Sequence, residues 1–304
     1  MPNAKGVPIV PPDLQPQDLP ERLSDPTANW PELQVLGTRE PLRPYLRQMW
    51  GRREFATTVA LGQLTATNQD TVLGRSWALL NPLLLIGVYY FIFEVALGIE
   101  ERGGVDNYLA FLTVGVITYN FTRSCAQAGS SAIYRNRALV RSITMPRALL
   151  PVSAIISQGV AHLYAVGAML AVLPLLGINP RWSWLLLIPV LMVQAMFNIG
   201  LAMFAARATF HFPDLSNFLP FLLRLVLYLS GAIIPLTPEI IANDRLRTVL
   251  QANPVYLIID ITRQSLLGDP LRGLSFAMMA LWALALLTAG FAFFRRAEHR
   301  YGRD

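Results

Sequence analysis

Six apolar runs, each near or above the ~20 residues that a helix needs to cross a bilayer, constrain this chain more than any other feature. They fall at about 77 to 98, 108 to 130, 148 to 176, 182 to 206, 216 to 236 and 273 to 294. A backbone immersed in lipid must satisfy its own hydrogen bonds, so each run is expected to be a helix. The expected fold class is therefore an all-α integral membrane protein with six transmembrane helices. Composition agrees: 54% of the residues are hydrophobic and only 14% charged, beyond what a soluble globule carries.

The basic residues orient the bundle. With both termini placed inside, 17 of the 25 Lys/Arg lie in cytoplasmic segments and 6 in outer ones, with Arg123 and Arg224 inside spans. That bias predicts a multi-pass protein of the cytoplasmic membrane with both ends in the cytoplasm. The formal net charge is +6, but the arginines flank apolar runs instead of forming one patch, so nucleic acid is not an expected partner. The single cysteine, Cys125, excludes an internal disulfide and a thiolate metal site, so neither metal nor cofactor is expected in this chain. Its one lysine is Lys5. A phosphate-cradling loop needs Gly-Lys-Ser/Thr, so any ATP and Mg must be bound by another polypeptide.

Residues 1–36 hold eight prolines among polar and acidic residues, a composition expected to form a disordered tail and not a cleaved signal. The 37–76 region turns basic. Leu46, Met49 and Trp50 with Arg43, Arg47 and Arg53 suggest an amphipathic helix at the membrane interface, touching lipid headgroups; a solvated linker helix is the alternative. Residues 77–294 form the six-span domain and 295–304 a basic cytoplasmic tail.

Between the second and third runs lies Tyr134 to Arg147, a short basic island with Leu139, Val140 and Ile143 on one face and Arg137 and Arg141 on the other. It predicts a cytoplasmic helix, stopped by Pro146, that docks on a partner. Between the fifth and sixth runs, two apolar patterns meet at Asn253-Pro254. Each is too short to cross, so a helix, a break and a second helix dipping into the outer leaflet are expected. Within the spans, Glu94, Arg123, Gln127, Gln158, His162, Gln194, Asn198 and Arg224 are polar where lipid needs none. Tyr89, Tyr90, Tyr119, Phe121, Arg123 and Gln127 are the candidate substrate path. For the aromatics, core packing is the competing reading; for Arg123, snorkelling to a phosphate.

Three motifs then carry a resemblance. They are Leu73-Gly74-Arg75-Ser76-Trp77 with Pro82, Asn136 followed by Leu139-Val140-Arg141 and Met145-Pro146-Arg147, and Asn253-Pro254 with Arg263 nine residues on. From about Leu73 onward the chain resembles the membrane subunits of type-2 ABC exporters of polysaccharides, such as those for O-antigen, teichoic acid and mycobacterial galactan. Met145 stands where that pattern has an aromatic. The resemblance implies a transport subunit and not an enzyme: a permease that exports a polyprenyl-diphosphate-linked polysaccharide. It also implies a second copy of the chain and two copies of a separate ATPase subunit. Asn136, Leu139, Val140, Arg141, Ile143, Met145, Pro146 and Arg147 would couple to that ATPase, and Asn253, Pro254 and Arg263 would belong to an outer gate. An exporter of drugs or small lipids is the nearest alternative. A polyprenyl glycan transferase is a further one, although its acidic residues near the membrane are single in sequence: Asp70, Asp214, Asp260 and Asp269.

Overall fold

The computed structural model describes residues 41–66, 74–98, 105–137 and 146–298. Every regular element among the described residues is helical. Two compact units divide the chain, Met1–Arg47 and Gln48–Asp304. The first is described only from Pro41, where it enters helix α1, Leu42–Gly51. Leu42, Leu46 and Trp50 are spaced by four and exposed, so α1 carries an open apolar stripe among its arginines.

In the second unit, Arg52 interrupts the helix before α2, Arg53–Ala66. The small residues Ala56 and Ala60 are buried on α2, which packs along α5, Leu149–Val172. Helix α3, Trp77–Tyr90, continues as a wider π turn over Phe91–Ala96. Helix α4 runs over Tyr108–Arg135, α6 over Leu187–His211 and α7 over Leu215–Leu229. Two shorter helices follow, α8 at Asp244–Gln251 and α9 at Pro254–Leu267, before α10 at Gly273–Arg296.

Three helical stretches are long and apolar enough to cross a membrane: Leu149–Leu176, Trp182–His211 and Gly273–Arg296. At most 39% of the most apolar window in any of them is buried. Leu163, Met192, Leu274, Leu281 and Trp282 are instead exposed, an arrangement that water would penalise and lipid tails would not. Two apolar helices are shorter, Leu80–Ala96 and Leu215–Leu229.

Helix α4 inverts that pattern. It is richer in Thr, Ser and Asn than the three apolar stretches, yet it is buried along most of its length, because α3, α5, α6, α7 and α9 all pack on it. Enclosure by other helices lets its polar groups find partners. Gln194 of α6 donates to the Thr118 carbonyl at 2.9 Å and to the Thr122 hydroxyl at 3.3 Å, an interhelical bond of the kind that ties helices together in lipid. Small residues set the closest approaches. A side chain at Gly290 of α10 would strike the Gly200 carbonyl of α6, so those two backbones touch directly.

The fifth apolar run, expected to stay helical to residue 236, stops at Leu229. Gly231 adopts φ +66°, a left-handed turn that a helix cannot contain, and residues 230–236 become a non-helical turn. The expected helix, break and helix between runs five and six is present as α8 and α9, while Ile240 and Ile241 lie outside both.

Candidate functional site

Three places carry the predicted functional residues. The first is the end of the bundle where α4 finishes and α5 begins. Asn136 is the C-cap of α4, and its side-chain amide donates to the Ala132 carbonyl at 2.7 Å. The Arg137 guanidinium lies 3.6 Å from the centre of the Tyr134 ring. Leu139, Val140, Arg141, Ile143 and Met145 lie outside the described residues. Beyond them Pro146 is buried and starts the turn into α5. The Arg147 backbone N–H donates to the Glu298 carboxylate at 2.8 Å and its guanidinium to the Glu298 carbonyl. The exit of this loop is thus fastened to the chain leaving α10.

At the opposite end, Arg263 ties α9 to α4 and to the turn after α7. Asn253 caps α9, accepting from the Val255 N–H at 2.9 Å, and Pro254 occupies its first turn, where no N–H is missed. Arg263 is buried to 5% exposure. It donates to the Phe111 carbonyl from Nε and Nη2 at 3.2 and 3.0 Å, to Gly231 from Nη1 at 2.8 Å, and to Ala232 from Nη2 at 3.0 Å. Its plane also lies over the Phe111 ring at 3.3 Å. Tyr108 adds a bond to the Ile233 carbonyl at 2.9 Å. Three consecutive carbonyls of the 230–236 turn are therefore satisfied by side chains of α4 and α9. A Cβ at Gly115 would collide with the Ala232 oxygen and the Arg263 guanidinium, so glycine is what admits the clasp. Nearby, burial raises the Asp260 carboxyl above its ordinary range, although Arg272, Arg263 and a 2.7 Å bond from Gln264 act the other way.

The third place is where α3, α4 and α7 meet. Tyr119 is buried, and its hydroxyl donates to the Leu223 carbonyl of α7. Phe121 is buried too and stacks on His162 of α5, with ring centres 4.3 Å apart. Both are packing groups within one chain. Tyr89 and Tyr90 are half-buried on α3, and Tyr89 meets Phe93 edge-on. Arg123 is exposed and Gln127 half-exposed, one and two turns beyond Tyr119. The contacts thus separate the candidate path into buried Tyr119 and Phe121 and an open face holding Arg123. Arg224 of α7, polar within an apolar run, belongs to that open face, and so does Tyr228, which the sequence does not single out. The Tyr119–Leu223 contact, between residues far apart in the chain, brings α7 against that side of α4. Among the described residues no group of three or more His, Cys, Asp or Glu is placed to hold a metal ion.

A bundle whose most apolar helices face outward, around an enclosed polar helix, is the construction of a membrane protein with several apolar helices. The sequence model of ABC-2 type transporters matches residues 57–267, and the chain belongs to that family. It is similar to the O-antigen export system permease protein RfbA of Klebsiella pneumoniae, 24% identical over 238 residues, which are 77% of this chain and 88% of the relative. A second K. pneumoniae protein of that name is 23% identical over the same shares. The RfbA protein of Myxococcus xanthus is 26% identical over 211 residues, 69% of this chain and 79% of its own length.

Proposed function

We propose that this chain is the permease subunit of an ATP-driven exporter that moves a polyprenyl-diphosphate-linked polysaccharide, of O-antigen or galactan type, out of the cytoplasm. It crosses the cytoplasmic membrane six times with both termini inside. Two copies form the passage, and two copies of a separate ATPase subunit supply the energy. The observation that carries this reading is the extent of the similarity to permeases named for O-antigen export, which reaches over most of both chains. The absence of any lysine after Lys5 supports the separate ATPase, since no phosphate-binding loop can be built here.

In this reading the 134–147 loop is the coupling element. Leu139, Val140 and Ile143 fill an apolar cleft on the ATPase, and Arg141 contacts its acidic rim. Asn136, Met145, Pro146 and Arg147 shape the loop, with Arg147 anchored on Glu298. Asn253, Pro254 and Arg263 hold the outer closure. Leu139→Asp is expected to lower co-purification of the ATPase at least about tenfold while the chain still inserts into membranes. Unchanged co-purification would remove the docking role. Export itself is tested in vesicles containing both subunits: ATP-dependent movement of a lipid-linked glycan is expected. Movement of small amphiphiles with none of the glycan would favour the drug or small-lipid alternative.

A further inference from the structure

Two exposed arginines, Arg123 of α4 and Arg224 of α7, flank the contact between those helices. Tyr119 and Arg123 are four residues apart and share one side of α4. The Tyr119 hydroxyl reaches the Leu223 carbonyl, and Arg224 is the next residue on α7. One helix crossing therefore brings Arg123 and Arg224 to similar depth. Arg123 lies roughly 22 Å along α4 from its first residue and about 18 Å from its last, at 1.5 Å per residue, near the middle of that helix and inside the apolar run. Tyr89 of α3 lies within electrostatic reach of both arginines and of Tyr228, which follows Arg224 by one turn. Both arginines are exposed, and neither has a hydrogen bond or ion pair among the described residues.

Charge at that depth is costly unless something answers it. A second copy of this chain has little to offer. Helices α4, α5, α6, α7 and α10 contain no Asp or Glu, and the carboxylate on the α3 extension, Glu94, is a single turn from its end. An anion brought by a ligand is what remains. Arginine pairs suit phosphate oxygens in particular, because the planar fork matches them two bonds at a time.

We propose that Arg123 and Arg224 bind the phosphate groups of the lipid-linked substrate midway through the passage, with the Tyr89 and Tyr228 hydroxyls as neighbouring donors. The proposal rests on the export reading above and adds where the anionic linkage sits. Bilayer phospholipid carries the same phosphate chemistry, so the test must tell the two sources apart.

The full chain, purified with its ATPase partner into phosphatidylcholine nanodiscs, is assayed for retention of radiolabelled undecaprenyl diphosphate. Wild type should retain the diphosphate at least about tenfold more tightly than undecaprenol, and Arg123→Gln and Arg224→Gln should each weaken retention by about tenfold or more. The double variant should match empty nanodiscs, and Arg224→Lys should fall between. Equal retention by wild type and double variant overturns the proposal. So does displacement of the label by equimolar phosphatidylglycerol, which would assign the arginines to bilayer headgroups. If the Gln variants fail to assemble, the wild-type comparison decides alone: equal retention of diphosphate and alcohol is fatal. Failure of the export reading is separate, because it appears as wild-type vesicles that move no lipid-linked glycan.

Discussion

Arg263 and the pair Arg123 and Arg224 are the same side chain in opposite circumstances within one helical bundle. Arg263 is buried, and its guanidinium is spent on the carbonyls of Phe111, Gly231 and Ala232. Arg123 and Arg224 are exposed and have no such acceptors among the described residues. A buried cation surrounded by oxygen acceptors is part of the fold, because removing it leaves the turn carbonyls of Gly231 and Ala232 unpaired. An exposed cation among apolar side chains contributes nothing comparable to the fold, so its place in the chain must be explained by what it meets. The difference separates scaffold from site without reference to any ligand.

The largest effect expected from this contrast is at the clasp. Arg263→Leu would leave the buried Gly231 and Ala232 carbonyls without their donor and detach α9 from the 230–236 turn. A loss of about 3 kcal/mol or more is expected, seen as a large fall in Tm in detergent and early aggregation on size exclusion. Arg263→Lys keeps the charge but not the fork, and should recover only part of the loss. A Tm within error of wild type for Arg263→Leu would erase the contrast.

Gly115→Ala attacks the same clasp from the other side. The added methyl would force either the Ala232 carbonyl or the Arg263 guanidinium away from its partner. The expected loss is about 1 to 3 kcal/mol, and in the Arg263→Leu background it should be much smaller, because the two changes share one contact. Full additivity in that double variant would show that Gly115 serves something else.

Much of this architecture was legible in advance and some was not, for reasons that lie in how far apart the partners are. The apolar runs locate the long helices because each run must satisfy its backbone alone. Asn253-Pro254 predicts the start of α9 because capping is local chemistry, settled within three residues. The end of α7 at Leu229 could not be foreseen: the carbonyls of its turn are claimed by Tyr108 and Arg263, and nothing near Gly231 announces them. The resemblance marks Arg263 together with Asn253-Pro254, but its role as a clasp depends on α4. For Tyr119 and Phe121 position alone leaves path and core packing both open, and their burial shows only in three dimensions.

A smaller effect is expected at Asp260, on the same helix as Arg263. Its carboxyl titrates above the ordinary range chiefly because it is buried, so the folded chain holds that proton more firmly than the unfolded chain does. Stability from this group is therefore present below the unfolded value, about 4, and is lost as pH rises through the folded one. Asp260→Asn should match wild type in Tm at the acid end and exceed it by a growing margin toward neutral pH. A margin that shrinks with rising pH would mean that Arg272 and Arg263 outweigh burial.

The smallest expected effect is the one that sharpens the contrast most. Arg123→Leu and Arg224→Leu remove charges that hold no acceptor in the fold, and they put apolar groups where apolar groups already predominate. Each should change stability by less than about 1 kcal/mol, with Tm equal to or slightly above wild type in detergent. Leu at position 224 should be better tolerated than Leu at position 263, although both replacements are identical in chemistry. A fall at Arg123 or Arg224 as large as that at Arg263 would mean that these arginines, too, brace the bundle, and their claim to a ligand would lose its physical basis.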